Sequence, residues 1–447
     1  MNRNQKGIVL FCLSLFILFS QFLFAQEKKA ITLNEAIDLS LKNSKELKNN
    51  QAKIEEATAA LKEAIQKKLP DAKVSGSYLW LSNPAIDLKT KTNSGSGGNQ
   101  NGTPKVSQAV YGIINVSLPI YTGGRISYGI EASGYLEKAA KLDAENDRQE
   151  VIQNTIEAYI NLYKAKASVN LVEENLATAN QRVTDLTGWE KNGLLPRNDL
   201  LKAQLQSSNI ELSLLDAENN WQLANITMDL LLGLPEKTEL IPDSTIIDAL
   251  INVKTLDEYV QAAYSNRKDA AALNFRKKAA ETGVKATRSE YYPNLALTGG
   301  YIAADIPKLI TVTNAVNIGV GVSYNIGSLW KTKAKVQQAE ARAKQQSISK
   351  SILDDNIRLQ VSQSYLNWLS SQKKIQVYAK AVDQSAENYR IVKNKFNNSL
   401  ATTTELLDAD LAQLQAKMNY VFAKADAVVA YNKLLQASGL EEQNEKK

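Results

Sequence analysis

Two of the residue types that most often carry protein chemistry are almost missing from this chain of 447 residues. There is no histidine, so the usual general base near neutral pH and the commonest metal ligand are both absent. The single cysteine, Cys12, lies in an apolar N-terminal run and follows bulky Phe11, which argues against a lipid-modified cysteine. Loss of that run would leave no thiol and no disulfide framework. Carboxylates are plentiful, yet no pair sits in a pocket-forming context; no catalysis, cofactor or metal site is expected. Gly123-Gly124-Arg125 reads as a strand-to-helix turn and not as a phosphate loop. What stands out is a polar turn written twice: NGLLPRNDLLKAQ at 192–204 and NSLATTTELLDAD at 398–410. Gly193 is answered by Ser399 and Asp199 by Glu405. Their carboxylates can serve helix ends, since Thr402-x-x-Glu405 fits a capping box and Asp199 near a helix start suits the dipole. Asp408, past the first turn, is harder to explain as a cap.

The elements that must position these turns are also duplicated. TLNEAI at 32–37 matches TLDEYV at 255–260, and Pro70 matches Pro293, at a spacing of 223 residues. From Val116 the spacing is 206, because the first copy carries a longer loop; Tyr159 then pairs with Tyr365 and Gly233-Leu234 with Gly439-Leu440. Such internal repetition decides an architecture. Long stretches lack Gly and Pro, among them Tyr135 to Thr187, Arg197 to Leu232, and everything between Ser328 and Ser438. Val151, Thr155, Ala158, Leu162, Ala165, Val169, Val172, Leu176, Ala179, Val183 and Leu186 alternate steps of four and three, the seam of a coiled coil. A returning seam from Leu200 to Leu231 makes a helical hairpin, and the second copy repeats the pattern from Ile357 to Val392. A helix from Leu329 to Asn394 would run roughly 100 Å, beyond any compact domain.

Ahead of each hairpin lie two segments of period two. In 316–326 Val316, Ile318, Val320, Val322, Tyr324 and Ile326 face one side, and Asn317, Gly319, Gly321, Ser323 and Asn325 the other. Its counterpart is 110–121, with partner strands at 72–80 and 295–302, joined by loops at 82–105 and 303–313. The 11-residue length suits a tilted membrane strand; an ordinary sheet on a soluble core fits the pattern equally well. If these strands do cross a membrane, several chains must join, because an open sheet cannot satisfy its edges in hydrocarbon and four strands are too few to close. Tyr78, Trp80, Tyr121, Tyr301 and Tyr324 would then supply an aromatic girdle.

Residues 1–25 have the form of a secretory signal, with Arg3 and Lys6 before an apolar run ending at Ala25; an uncleaved anchor is the competing reading. The formal charge of +6 is spread among interspersed acids, with no nucleic-acid footprint. The expected division is a signal at 1–25, a first repeat at 26–234, a connector at 235–252, a second repeat at 253–440 and a polar tail at 441–447.

ITLNEAIDLSLKNSKEL, KKLPDAKVSGSYLW, YYPNLALTGGY, LPIYTGGR and the two turns, in this order and duplicated, resemble the TolC-like outer-membrane efflux proteins of Gram-negative bacteria over about residues 31–440. The resemblance implies a mainly α fold with membrane strands. Each chain of a homotrimer gives four strands to a twelve-stranded barrel in outer-membrane lipid, and its helices, including shorter ones at about 34–69 and 256–291, to a periplasmic α-barrel. It further implies a passive exit duct of a tripartite efflux or type I secretion system, whose helical turns meet a periplasmic adaptor bridging to an inner-membrane pump of RND or ABC type. On that basis Gly193, Leu194, Leu195, Leu200, Ser399, Leu400 and Leu406 are candidate adaptor contacts, and Asp199, Glu405 and Asp408 candidate entrance carboxylates. The polar latch of some members would fall on Phe396 and Ala401, so it is absent here. A periplasmic coiled-coil adaptor or a fibrous spacer without a membrane barrel is the alternative reading; duplication of the whole hairpin and the amphipathic strands speak against the adaptor.

Overall fold

The computed structural model describes residues 28–82, 84, 106–243, 254–307 and 309–440. The signal-like run, most of the 82–105 loop, much of the connector and the tail 441–447 lie outside the described residues. Two compact units form: one from the described part of Met1–Gln51 with Asp143–Ala270 and Leu353–Lys447, the other from Ala52–Leu142 and Ala271–Ile352.

Thr32 and Thr255 open equivalent helices, α1 (Leu33–Asn43) and α5 (Leu256–Asn266). Each threonine accepts from the backbone of a glutamate three residues on, whose carboxylate returns to the threonine N–H. Single helices over 34–69 and 256–291 were expected, and here the structure differs. Ser44 and Arg267 leave helical geometry, so α1 gives way to α2 (Lys45–Gln66) and α5 to α6 (Lys268–Arg288). The Ser44 hydroxyl then accepts from Leu47 N–H, and Asp269 accepts from the N–H of Ala270, so each break starts a new helix with its own polar partner.

The first long hairpin is α3 (Arg125–Lys191) and α4 (Arg197–Leu232), the second α7 (Ser328–Asn397) and α8 (Thr403–Ala437). The seam residues of α3, from Val151 to Leu186, are all buried or half-buried. A core of Ile31, Leu33, Ile156, Tyr159, Ile160, Leu162, Met228, Leu232 and Leu240 joins α1, α3 and α4 to two short strands; each fully buried aliphatic side chain contributes about 1.5–3 kcal/mol. Those strands, β1 (Lys28–Ile31) and β4 (Glu239–Pro242), pair in parallel. They have no counterpart in the sequence reading, since four residues are too few to show a period.

The other sheet holds β2 (Asp71–Trp80), β3 (Gln108–Tyr121), β5 (Asn294–Ile306) and β6 (Ile310–Ser323), antiparallel in that order, with β2 and β6 at its edges. Residues 303–313 were expected as a loop, but 303–306 and 310–313 belong to the strands. A bulge explains the misreading: Ala303 of β5 faces the two residues Thr313 and Asn314, Asn314 takes φ 57°, and its side chain meets the Tyr301 hydroxyl. The alternation is broken there. At its other end β6 stops at Ser323, short of Tyr324 and Ile326, because the Asn325 side chain accepts from Gly327 N–H and turns the chain into α7.

Register shows what the sheet presents. Val74, Ile114, Tyr301 and Val316 lie in one row across all four strands; Leu118, Leu297 and Val320 lie in another on the same face. Lys73, Asn115, Gly300 and Asn317 form the matching row of the opposite face. One side is an apolar band in which Val74, Val316, Ile318, Val320 and Val322 are exposed; the other is mixed, small and polar on β6 at Ala315, Asn317, Gly319, Gly321 and Ser323 but carrying Leu79, Tyr111, Ile113 and Ile302 on the other strands. No helix among the described residues is long and apolar enough to cross a membrane.

Candidate functional site: the paired helical tips

Both hairpin turns fold by one rule. After α3, Leu194 N–H reaches Trp189 C=O at 2.9 Å and Gly193 N–H reaches Glu190 C=O at 2.9 Å; after α7, Leu400 N–H reaches Lys395 C=O at 2.8 Å and Ser399 N–H reaches Phe396 C=O at 2.9 Å. This is the Schellman closure, which needs a left-handed residue at Gly193 (φ 71°) and Ser399 (φ 58°). The next residue in each turn is a leucine that projects outward, Leu194 74% and Leu400 76% exposed. Each tip therefore offers one apolar knob.

The helices restart differently. Thr402 caps α8, and Glu405 completes the box: its carboxylate accepts from Thr402 N–H at 2.6 Å and from the Thr402 hydroxyl at 2.9 Å. These bonds, the backbone one first, hold the Glu405 carboxyl below the usual carboxylate range, with Lys395 adding to the effect. Pro196 precedes α4 without a side-chain cap, and Asp199 pairs with Lys202 at 3.1 Å. Asp408 is exposed and has no salt bridge among the described residues; with Lys395, Leu400, Ala401 and Glu405 it lines a shallow cavity of about 330 Å³. The two carboxylates of the second tip thus share one depression.

Leu200 and Leu406, expected as adaptor contacts, are instead buried with Leu186, Ala203 and Phe396. Both occupy seam positions, so the heptad that places them at the tip also turns them inward. Leu195 is half-buried against the same cluster. Phe396 stacks on Trp189, ring centroids 5.7 Å apart at 22°. One further feature escaped the sequence reading. Arg182 of α3 donates to Asp410 of α8 at 2.9 Å and to the Tyr389 hydroxyl of α7 at 3.1 Å, with both charged side chains only 8% exposed. The partners are 228 residues apart, and nothing local to either announces the other.

A profile of the outer membrane efflux protein family matches residues 36–234 and 259–440, both copies of the repeat. The chain belongs to that family. It is similar to the outer membrane efflux protein BepC of Brucella suis biovar 1, 24% identical over 349 residues and 75% of this chain and 74% of the relative. It is also similar to toxin and drug export protein A of Aggregatibacter actinomycetemcomitans, 22% identical over 421 residues and 90% and 85% of the two chains. The fold matches that of the outer membrane protein VceC of Vibrio cholerae with a TM-score of 0.73 at 19% identity, covering 91% of this chain and 96% of that one. The efflux family supplies function and place: an outer-membrane efflux channel of a Gram-negative bacterium. Its architecture is a duplicated unit of two strands and a long helical hairpin, and the family and fold are those of channels.

Proposed function

We propose that three copies of this chain close into a passive exit duct with no chemistry of its own. Twelve strands would form a barrel in outer-membrane lipid, and the helical hairpins a periplasmic tube. The observation that carries this reading is the continuous apolar band of β2, β3, β5 and β6, bounded by two edges that are unpaired among the described residues. Hydrocarbon tolerates the band but not the edges, which find partners only in other chains. Tyr78, Trp80 and Tyr121 flank the band where an interfacial girdle would sit.

The tips are the periplasmic entrance and the docking ring for an adaptor that couples the duct to an inner-membrane pump of RND or ABC type. Leu194 and Leu400, with Gly193, Leu195 and Ser399 shaping their turns, give a trimer six apolar knobs. Asp199, Glu405 and Asp408 ring the entrance; acid in a narrow passage favours cations. The repeats divide the mature chain at about 26–234 and 253–440, after removal of a signal at 1–25. Purified full-length protein added to a planar lipid bilayer tests the reading. Stepwise conductance is expected, and loss of insertion when Ile318 and Val320 both become Asp. A chain that leaves the bilayer silent, or whose double variant inserts as well as the parent, contradicts it.

A further inference from the structure

We propose that the collar where the strands pass into helices binds anionic phospholipid headgroups in the periplasmic leaflet of the outer membrane. This rests on the barrel proposed above, whose apolar band the collar continues, and it names the lipid that the band's helix-side border selects. Register brings the helix-side strand ends together: Asp71 pairs with Ser117, Tyr121 with Leu295 and Asn294 with Ser323. At and just past those ends the side chains remain apolar and open to solvent. Leu69, Ile120, Tyr292, Ile326 and Trp330 are 56–64% exposed. An indole and a phenol bordering a lipid-facing band suit the headgroup level, where the ring meets hydrocarbon and its N–H or O–H meets water.

The charge beside them has one sign. Lys68, Arg125, Lys331 and Lys333 are exposed and form no salt bridge among the described residues. Neighbouring acids are already paired: Glu63 with Lys67 at 3.2 Å, Asp71 with Lys73 at 3.3 Å and Glu290 with Lys335 at 2.6 Å. Both copies keep the arrangement, since Arg125 and Lys331 hold the same place at the spacing of 206. Packing draws the two copies to the end of α6. The Gly123 turn lies so close that an added Cβ would be 2.9 Å from Tyr292 Cβ, and Glu290 reaches α7 through Lys335.

Their own helices do not call for these cations. The positive end of a helix dipole favours acid in the first turn, and α1, α2, α4, α5, α6 and α8 each have one there. The two helices that leave the barrel, α3 and α7, have none and place Arg125 and Lys331 there instead. Dipole and cation then add, and none of the described residues supplies the compensating anion. A lipid phosphate beside the collar does. A zwitterionic headgroup carries its own ammonium, whereas an anionic phospholipid brings a net charge while its acyl chains cover Leu69, Ile326 and Trp330. Each lysine or arginine near such a surface strengthens the attraction about fivefold.

Purified full-length protein in detergent, mixed with equal amounts of phosphatidylglycerol and phosphatidylethanolamine, tests this when the lipids it retains are counted by native mass spectrometry. The parent is expected to keep phosphatidylglycerol about tenfold over phosphatidylethanolamine, with the preference falling as salt rises. Lys68→Gln, Arg125→Gln, Lys331→Gln and Lys333→Gln combined should insert into bilayers as the parent does, yet retain the two lipids alike. Lys68→Arg, Lys331→Arg and Lys333→Arg combined should keep the preference. So should Arg358→Gln, Lys373→Gln, Lys374→Gln and Lys380→Gln combined, which remove equal charge from exposed positions further along α7. Equal retention of both lipids by the parent, displacement of phosphatidylglycerol by soluble glycerol phosphate, or an unchanged preference in the quadruple collar variant overturns the inference; the first two would assign the cations to a soluble anion or a protein partner. A parent that neither inserts nor retains any lipid removes the barrel itself.

Discussion

Tyr159 stands under the two-stranded sheet with its hydroxyl 2.7 Å from Asp243 N–H, whose proton it accepts, while it donates to Ile31 C=O at 2.9 Å. One phenol on α3 thus ties the ends of β1 and β4. Burial pushes its pKa up to about 12, so it remains a neutral donor throughout the physiological range.

Tyr159→Phe removes the hydrogen bonds of the phenol and leaves Asp243 N–H with its 3.2 Å bond to Ile31 C=O; it should cost about 0.5–1.5 kcal/mol per bond lost. Thermal unfolding and hydrogen exchange at Asp243 would register it, whereas Tyr365→Phe, at the matching place in the second copy, should be milder. Tyr365 is half-buried and meets Tyr259 and Trp368 by ring contact.

The glycines that end α4 and follow α8 should be far less replaceable than the one at the tip. Gly233 and Gly439 have φ near 69° and 63°; an added Cβ would lie 2.9 Å from Asn43 Cβ in one case and 2.9 Å from Arg267 N in the other. Gly193 shares the left-handed backbone, but open space surrounds it. Gly193→Ala should cost about 1–2 kcal/mol from backbone strain alone. Gly233→Ala and Gly439→Ala should add about 1–3 kcal/mol of overpacking. Comparison of the three thermal midpoints checks the order.

Strict periods made the helical seams and the amphipathic strands legible in the sequence, since every seam residue from Val151 to Leu186 must face a neighbour and each strand row must keep to one face. Period fails where a single residue breaks it. Asn314 hid the start of β6 behind a bulge, and Ser44 and Arg267 cut helices whose composition favours continuation. At the tips Thr402-x-x-Glu405 was readable because capping is local. Arg182 and Asp410 were not, since each sits one place off the seam, where solvated charge is the ordinary reading. Their only sequence signal is that the other copy puts uncharged Asn388 and Gln204 in those places.

Asp229 is fully buried near the C-terminus of α4, one oxygen accepting from Asn225 at 3.0 Å and the other without a hydrogen-bond partner among the described residues. Burial first, and Glu236 second, push its pKa up to about 6. The sign follows from linkage. A folded-state pKa above the unfolded value of 3.8 means a stabilising contribution that is complete below pH 3.8 and lost as pH rises through about 6. Asp229→Asn should remove that dependence and raise stability at neutral pH by up to about 3 kcal/mol. Unfolding midpoints of both proteins at pH 5 and pH 7.5 would show the two curves converging at the acid end; parallel curves would contradict the assignment.

Glu405 both caps α8 and carries charge at the tip, and two substitutions separate the roles. Glu405→Gln keeps an acceptor for Thr402 and removes the charge; Glu405→Ala removes both. Cation preference, read as reversal potential across a salt gradient, should fall equally in the two variants, while only Glu405→Ala should weaken the helix start, by about 1 kcal/mol. Asp408→Asn should lower cation preference without any loss of stability.

The most direct test of the duct is the mass of the particle that carries the apolar band. Outer-membrane fractions extracted with detergent and weighed by light scattering or native mass spectrometry should give three chains per particle, with no release by high salt alone. A water-soluble single chain freed by salt would mean that the borders of β2 and β6 need no partners, and the channel account would be wrong.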